Sequence, residues 1–224
     1  MSASVLGLGE LLEGGLEELR CHPLAVTLFV LADVMVSYLG SWAASLNINL
    51  VFLVFVSTVL SSPLSSLLAM ALGGKLRDMV LDPIGLFVRL VFAIAVTLLV
   101  SLGAGIGIAF LIVPGLYFAA RWTLAVPLVV LEECGIVEAM SRSWRLTESA
   151  AWPLVGTVIV LAIPSVALGL FGDTEPIMTL GAITFERALE TLISSCVAAY
   201  GVAVSVFAYT KLAGPIDPLL ETFA

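Results

Sequence analysis

The residue types that could do chemistry in this chain are few and scattered. The one histidine, His22, stands beside Cys21 and Pro23. A catalytic dyad or a metal centre needs further groups converging on it, and the neighbouring sequence supplies none. Cys134 and Cys196 lie far from Cys21, and no CxxC pair occurs. The cysteines read as small apolar fillers. Serines are plentiful, as in Ser61-Ser62 and Ser65-Ser66. A serine nucleophile requires a base and an orienting group, and neither GxSxG nor HExxH is present. The run GAGIG at Gly103–Gly107 is as glycine-rich as a phosphate loop, but it lies in an apolar segment and no GK[ST] follows it. No cofactor and no metal site is expected.

Two charges stand out against this background. Asp33 and Arg121 each lie well inside a long apolar run. An isolated charge at the centre of a bilayer costs about 2.5–3.5 kcal/mol on insertion scales. Each lies about ten residues from the same end of its helix, roughly 15 Å at the α-helical rise. Equal depth suits an interhelical ion pair, either locking the bundle or lining a polar path. Arg142, Trp144 and Arg145 form a second group, on a short polar helix. There the arginine forks are expected to reach lipid headgroup phosphates, with Trp144 turned to the apolar side.

The elements that position these residues are membrane helices. The chain of 224 residues is 61% hydrophobic and 12% charged, with a mean hydropathy of +1.17. A soluble domain is about 45–50% apolar and about 25% charged. A spanning helix needs roughly 20 apolar residues, and several such runs are present. The net charge of −8 excludes a general attraction to nucleic acid. The first twenty residues hold Glu10, Glu13, Glu17, Glu18 and Arg20. They lack the basic start and apolar core of a signal peptide, so the first span is expected to insert uncleaved.

The expected fold is all-α, a polytopic bundle of six transmembrane helices in a single domain, 1–224. An amphipathic helix covers 5–19, with leucines on one face and glutamates on the other. The spans fall at about 23–44, 48–72, 84–112, 116–131, 152–170 and 185–212. Pro63 and Pro164 lie inside spans, and Pro127 is expected to tilt or kink the fourth. Gly73-Gly74 fits a helix end and Pro83 a helix start. Val113-Pro114-Gly115 reads as a turn. Gly103 and Gly107 form a GxxxG pair, and Ser195, Ala199 and Ala203 a small-residue ridge, both suited to close helix packing. A helix over Glu133–Thr147 is expected to lie along the inner surface between spans four and five, with Glu138 and Arg142 four apart. No internal repeat of the transporter kind is evident.

With IVPGLY at Ile112–Tyr117, RWTLAVPLVVLEE at Arg121–Glu133, then Ala139 and the run Ser143-Trp144-Arg145-Leu146-Thr147 in view, the chain resembles a bacterial family. It is the family named after the membrane domain of glycerophosphoryl diester phosphodiesterases, with related six-span inner-membrane proteins. The similarity is clearest over residues 110–160 and extends over 85–213. In two-domain members of that family, hydrolysis belongs to a soluble TIM-barrel domain after the membrane part. The short tail after Ala213 leaves no room for a barrel of about 250 residues. No phosphodiesterase activity and no catalytic residues are therefore expected here.

The resulting expectation is a non-enzymatic integral membrane protein of the bacterial cytoplasmic membrane. It acts as a scaffold or as a module that contacts lipids and a membrane or soluble protein partner. The alternative is a small transporter or permeation component with a polar site near Asp33 and Arg121. Arg20, Lys75, Arg77, Arg89, Arg142, Arg145 and Lys211 fall on one side of six alternating spans, and Arg187 on the other. By the positive-inside rule both termini are cytoplasmic. Reporter fusions at Gly74, Ser149 and Ala224 should report cytoplasm, and fusions at Asn47 and Asp173 the outside. An outside signal at Ala224 means that the span count is wrong.

Overall fold

A computed structural model describes residues 6–44, 50–75, 82–110, 112–171 and 185–213. The described residues form helices and the turns between them, with no strand. In chain order the helices are α1 (Leu8–Cys21), α2 (Pro23–Ala44), α3 (Leu50–Leu72), α4 (Pro83–Phe110), α5 (Ile112–Arg121), α6 (Ala125–Glu132), α7 (Ile136–Leu146), α8 (Ala151–Phe171) and α9 (Phe185–Leu212). Among the described residues, four segments can cross a membrane by length and composition: Pro83–Ala104, Val113–Glu132, Ala151–Leu168 and Ala188–Leu212. A fifth is counted if α1 and the first part of α2 are taken as one bent span. The six-span reading is thus matched at four or five.

Local chemistry sets the helix ends. His22 precedes a proline, which disfavours the α region for it. Its φ of −127° and ψ of 55° end α1, and the chain turns by 95° into α2. Gly74 closes α3 at φ 71°, a conformation cheap only for glycine. Lys75 N donates to Met70 O and Gly74 N to Ala71 O, which is the Schellman pattern. Asp82 caps α4, its Oδ1 accepting from Gly85 N at 3.1 Å, with Pro83 in the first helical position. The turn expected at Val113-Pro114-Gly115 is instead helical. α5 starts at Ile112, which puts Pro114 in its first turn, where the missing N–H matters least.

Among the described residues the core forms around α6, which packs against α3, α4, α7 and α9. Ala125, Pro127, Leu128, Val129, Val130 and Leu131 of this short helix are all buried. A helix apolar all round must be enclosed on every side. The outer faces of the long helices carry Leu28, Leu31, Met35, Phe87, Leu99, Leu102, Ile163 and Val166, all exposed. Lipid tails are as apolar as these side chains, so burial alone does not drive the helices together. Close contact and polar links must do it.

Glycine provides the closest contacts. A Cβ added at Gly14 would lie 2.2 Å from the Phe207 ring, and one at Gly15 2.4 Å from Val204. The face of α1 that packs down on α9 is thus that of Leu11, Gly14 and Gly15, whereas Leu8 and Leu16 of the expected leucine face are exposed, and the Tyr200 hydroxyl donates to Leu12 O at 2.7 Å. The GxxxG pair acts within one hairpin. A Cβ at Gly103 would meet Trp122 at 2.7 Å, and one at Gly107 would meet Gly115 Cα at 2.6 Å. The second contact is backbone to backbone and has no flexible side chain to yield. Gly107→Ala should lower stability in detergent by about 1–3 kcal/mol, as overpacking does. Gly201→Ala, whose Cβ finds only an ordinary 3.7 Å contact, should leave the thermal midpoint unchanged.

Candidate functional site

The span that contains Arg121 is broken in two. Pro127 has no N–H to give, and its ring crowds the carbonyl four residues earlier. Residues 122–124 become a turn, and Pro127 sits in the first turn of the new helix α6. Thr123 N donates to Ala120 O and Ala125 N to Trp122 O, both one residue short of the α pattern. In an unbroken helix Ala125 N would have bonded to Arg121 O. That carbonyl is left without a backbone partner.

Two hydroxyls, one in α7 and one at its C-cap, replace it. Ser143 Oγ donates to Arg121 O at 2.7 Å; Thr147 Oγ1 lies 3.2 Å from the same oxygen and 2.8 Å from Ser143 O, so its one O–H stands as the second donor to the freed carbonyl. Both residues are fully buried. The two residues lie four apart, so they stand one turn above each other on one helix face. This bond set fixes α7 against the break.

The same docking places Trp144 beside Arg121. The guanidinium carbon lies 4.4 Å from the Trp144 ring centroid and 5.8 Å from that of Tyr117. Phe118 and Trp122 complete an aromatic cluster, with ring centroids 5.4–6.2 Å apart across the pairs. Arg121 is only 4% exposed, and its Nε and Nη1 are buried with no hydrogen-bond partner.

A second polar group gathers where α6 ends. Glu132 forms an ion pair with Arg142 and accepts from the Tyr209 hydroxyl at 2.8 Å. Glu133 adopts φ 61° and pairs with Arg89. Lys75 Nζ donates to Leu131 O at 2.7 Å, so it caps the C-terminus of α6, where a cation also suits the helix dipole. Cys134 lies against Glu132 and Arg142. Burial first, then the carboxylates of Glu132 and Glu138, push its thiol up, against the lowering effect of Arg142. A thiol held protonated is not a nucleophile.

Several sequence expectations resolve differently. Asp33 and Arg121 do not form an ion pair. The Asp33 carboxylate accepts from Ser195 Oγ at 2.7 Å, which ties α2 to α9, whereas Arg121 faces its aromatic cluster. Arg142 forms an ion pair with Glu132, and Trp144 turns inward onto Arg121. Arg145 alone of the three is exposed, as is Trp152 at the start of α8, at 74%. Sequence reasoning overlooked Glu132, Lys75 and Tyr209 as a set. The Glu132-Glu133 pair at the end of an apolar run was the available signal. A buried carboxylate there needs a cation, and Arg89 and Arg142 were within its reach.

The capping bonds give a sharp expectation. Either Ser143→Ala or Thr147→Val alone should cost about 0.5–1 kcal/mol, since the other hydroxyl still covers the carbonyl. The double variant should lose more than the sum, because the carbonyl is then orphaned in an apolar interior. Chemical unfolding in detergent measures this, and strict additivity would show that the two hydroxyls do not share one acceptor.

A family model for the membrane domain of glycerophosphoryl diester phosphodiesterase matches residues 92–213, more than half of the chain. The match takes in most of α4 and all of α5 to α9, including the break, its two capping hydroxyls and Trp144. It covers a membrane domain and no catalytic domain. No curated protein and no solved structure matches the chain. On the family match and the apolar helices together, this is a multi-pass integral membrane protein, and it belongs to the family of the membrane domain of glycerophosphoryl diester phosphodiesterase.

Proposed function

We propose that the chain is a non-enzymatic scaffold that contacts lipids and a protein partner. It sits in a bacterial cytoplasmic membrane with both termini on the cytoplasmic side. The observation that carries this reading is how its buried polar groups are used. Ser143 and Thr147 close a helix break, Glu132 joins α6 to α7 and α9, Asp33 joins α2 to α9, and Ser62 Oγ meets Thr97 Oγ1 at 3.1 Å between α3 and α4. These groups hold helices to one another. A surface for lipid is supplied by α7 and the start of α8. There Val137 is 81% exposed, and Arg145 and Trp152 are exposed as well. Exposed arginine, apolar and indole side chains on these segments suit the headgroup region.

A second reading, a permeation component, draws on one observation, the unpaired buried nitrogens of Arg121. The capture of Asp33 by Ser195 removes the acidic partner that the polar path was to use. The two readings separate on reconstitution. The purified chain in liposomes should leave the permeability to small anions at the level of protein-free vesicles, and isolation from native membrane should bring lipid and a stoichiometric protein with it. Anion flux that is abolished by Arg121→Gln would overturn the scaffold in favour of permeation.

A further inference from the structure

Arg121 has a charge that nothing in its surroundings answers. It is 96% buried by exposure, and Nε and Nη1 lack any acceptor. Among the described residues no carboxylate pairs with it. Glu132 is engaged by Arg142 and Tyr209, Glu133 by Arg89 and Asp33 by Ser195. Burying an ion in an apolar interior costs several kcal/mol even after relaxation. Trp144 and Tyr117 offset part of that. A desolvated cation–π contact contributes about 2 kcal/mol, but it leaves the N–H groups unbonded. A lysine could relieve the cost by losing its proton, whereas arginine cannot. A lone water could accept one N–H bond and would leave the charge in place. The remaining answer is an anion.

We propose that the guanidinium of Arg121 is the receptor for a phosphate-type oxyanion, held between the rings of Trp144 and Tyr117. The planar fork of arginine matches such an oxyanion with two parallel N–H···O bonds. Trp144 is the fixed wall, close to the guanidinium and anchored between two capping residues. Tyr117 is the looser one, half-buried and farther from the charge. It yields to admit the ligand. The phosphate has two sources, a lipid headgroup reaching in from the bilayer or a free phosphate from water. The site stands on the burial of Arg121 and does not depend on the scaffold reading.

Trp144 lies on the guanidinium and Trp122 beside it, so their fluorescence reports occupancy. The full chain in an uncharged detergent is titrated with sodium phosphate, and separately with dihexanoylphosphatidylglycerol, against sodium chloride at equal ionic strength. At least one phosphate source should give a saturable change that chloride does not. Arg121→Gln should weaken it by about tenfold or more, as loss of a charge-assisted bidentate contact does. Arg20→Gln, which removes an exposed cation of α1, should retain it. A response to phosphate assigns a free anion, and a response to the lipid alone assigns a headgroup. If Arg121→Gln does not fold, Arg121→Lys keeps the charge without the fork and should bind more weakly. The proposal falls if the wild-type chain shows no saturable response to either source, or if the response is equal in the wild type and the Arg121 variant that folds.

Discussion

One backbone carbonyl governs the arrangement of the family-matched half of the chain. Pro127 ends the helical ladder before it, and Arg121 O loses its partner. Inside a membrane protein an unbonded carbonyl is costly, because no water is at hand to accept the role. The two hydroxyls that answer it belong to Ser143 of α7 and to Thr147, which caps that helix. Docking α7 for this purpose has consequences along its length. Trp144 comes to rest on the Arg121 side chain, and Arg142 comes within reach of Glu132. A proline in one span thus decides where the following helix lies and which of its faces turns inward.

The rest of the bundle follows from the same scarcity of driving force. Lipid removes most of the gain from burying leucine, so the helices are joined at specific points. α6 collects the most of them, through Lys75 of α3, Arg89 of α4, Arg142 of α7 and Tyr209 of α9. These contacts converge on the last residues of α6, whose terminal carbonyls and paired glutamates present negative charge together. The glycines work at the opposite extreme of chemistry. Gly107 against Gly115 brings two backbones together, and Gly14 admits the Phe207 ring, each close enough for dispersion to act over a whole face.

The features written within a few residues were legible. Composition announced the membrane class. Gly73-Gly74 and Pro83 marked helix ends that are there, and Gly103 with Gly107 marked a close approach that is made. The features written across the chain were not. Pro127 signalled a kink, but the fate of the freed carbonyl rested on residues 22 and 26 positions away. Asp33 finds its partner 162 positions on. Equal depth made Asp33 and Arg121 a plausible pair, but depth says nothing of which helices are neighbours. α2 packs against α3, α9 and α1, whereas α5 packs against α4 and α8. The periodicity of α7 gave its faces and left open which one points inward. Against lipid the usual sense reverses, so Ser143 is buried while Val137 is exposed.

Arg121 divides into two parts with different explanations. Its carbonyl closes the helix break, and any residue at this position would offer the same oxygen to Ser143 and Thr147. Its guanidinium plays no part in that closure. Its Nε and Nη1 make no hydrogen bond to a neighbouring helix among the described residues, and stacking on Trp144 is a contact that an uncharged ring would make without the cost of burying a cation. The charges at the end of α6 differ in this respect, since each is paired and each joins two helices. The fold accounts for Glu132, Arg142, Arg89 and Lys75. It does not account for the Arg121 side chain, so the reason for that charge has to be sought in what it binds.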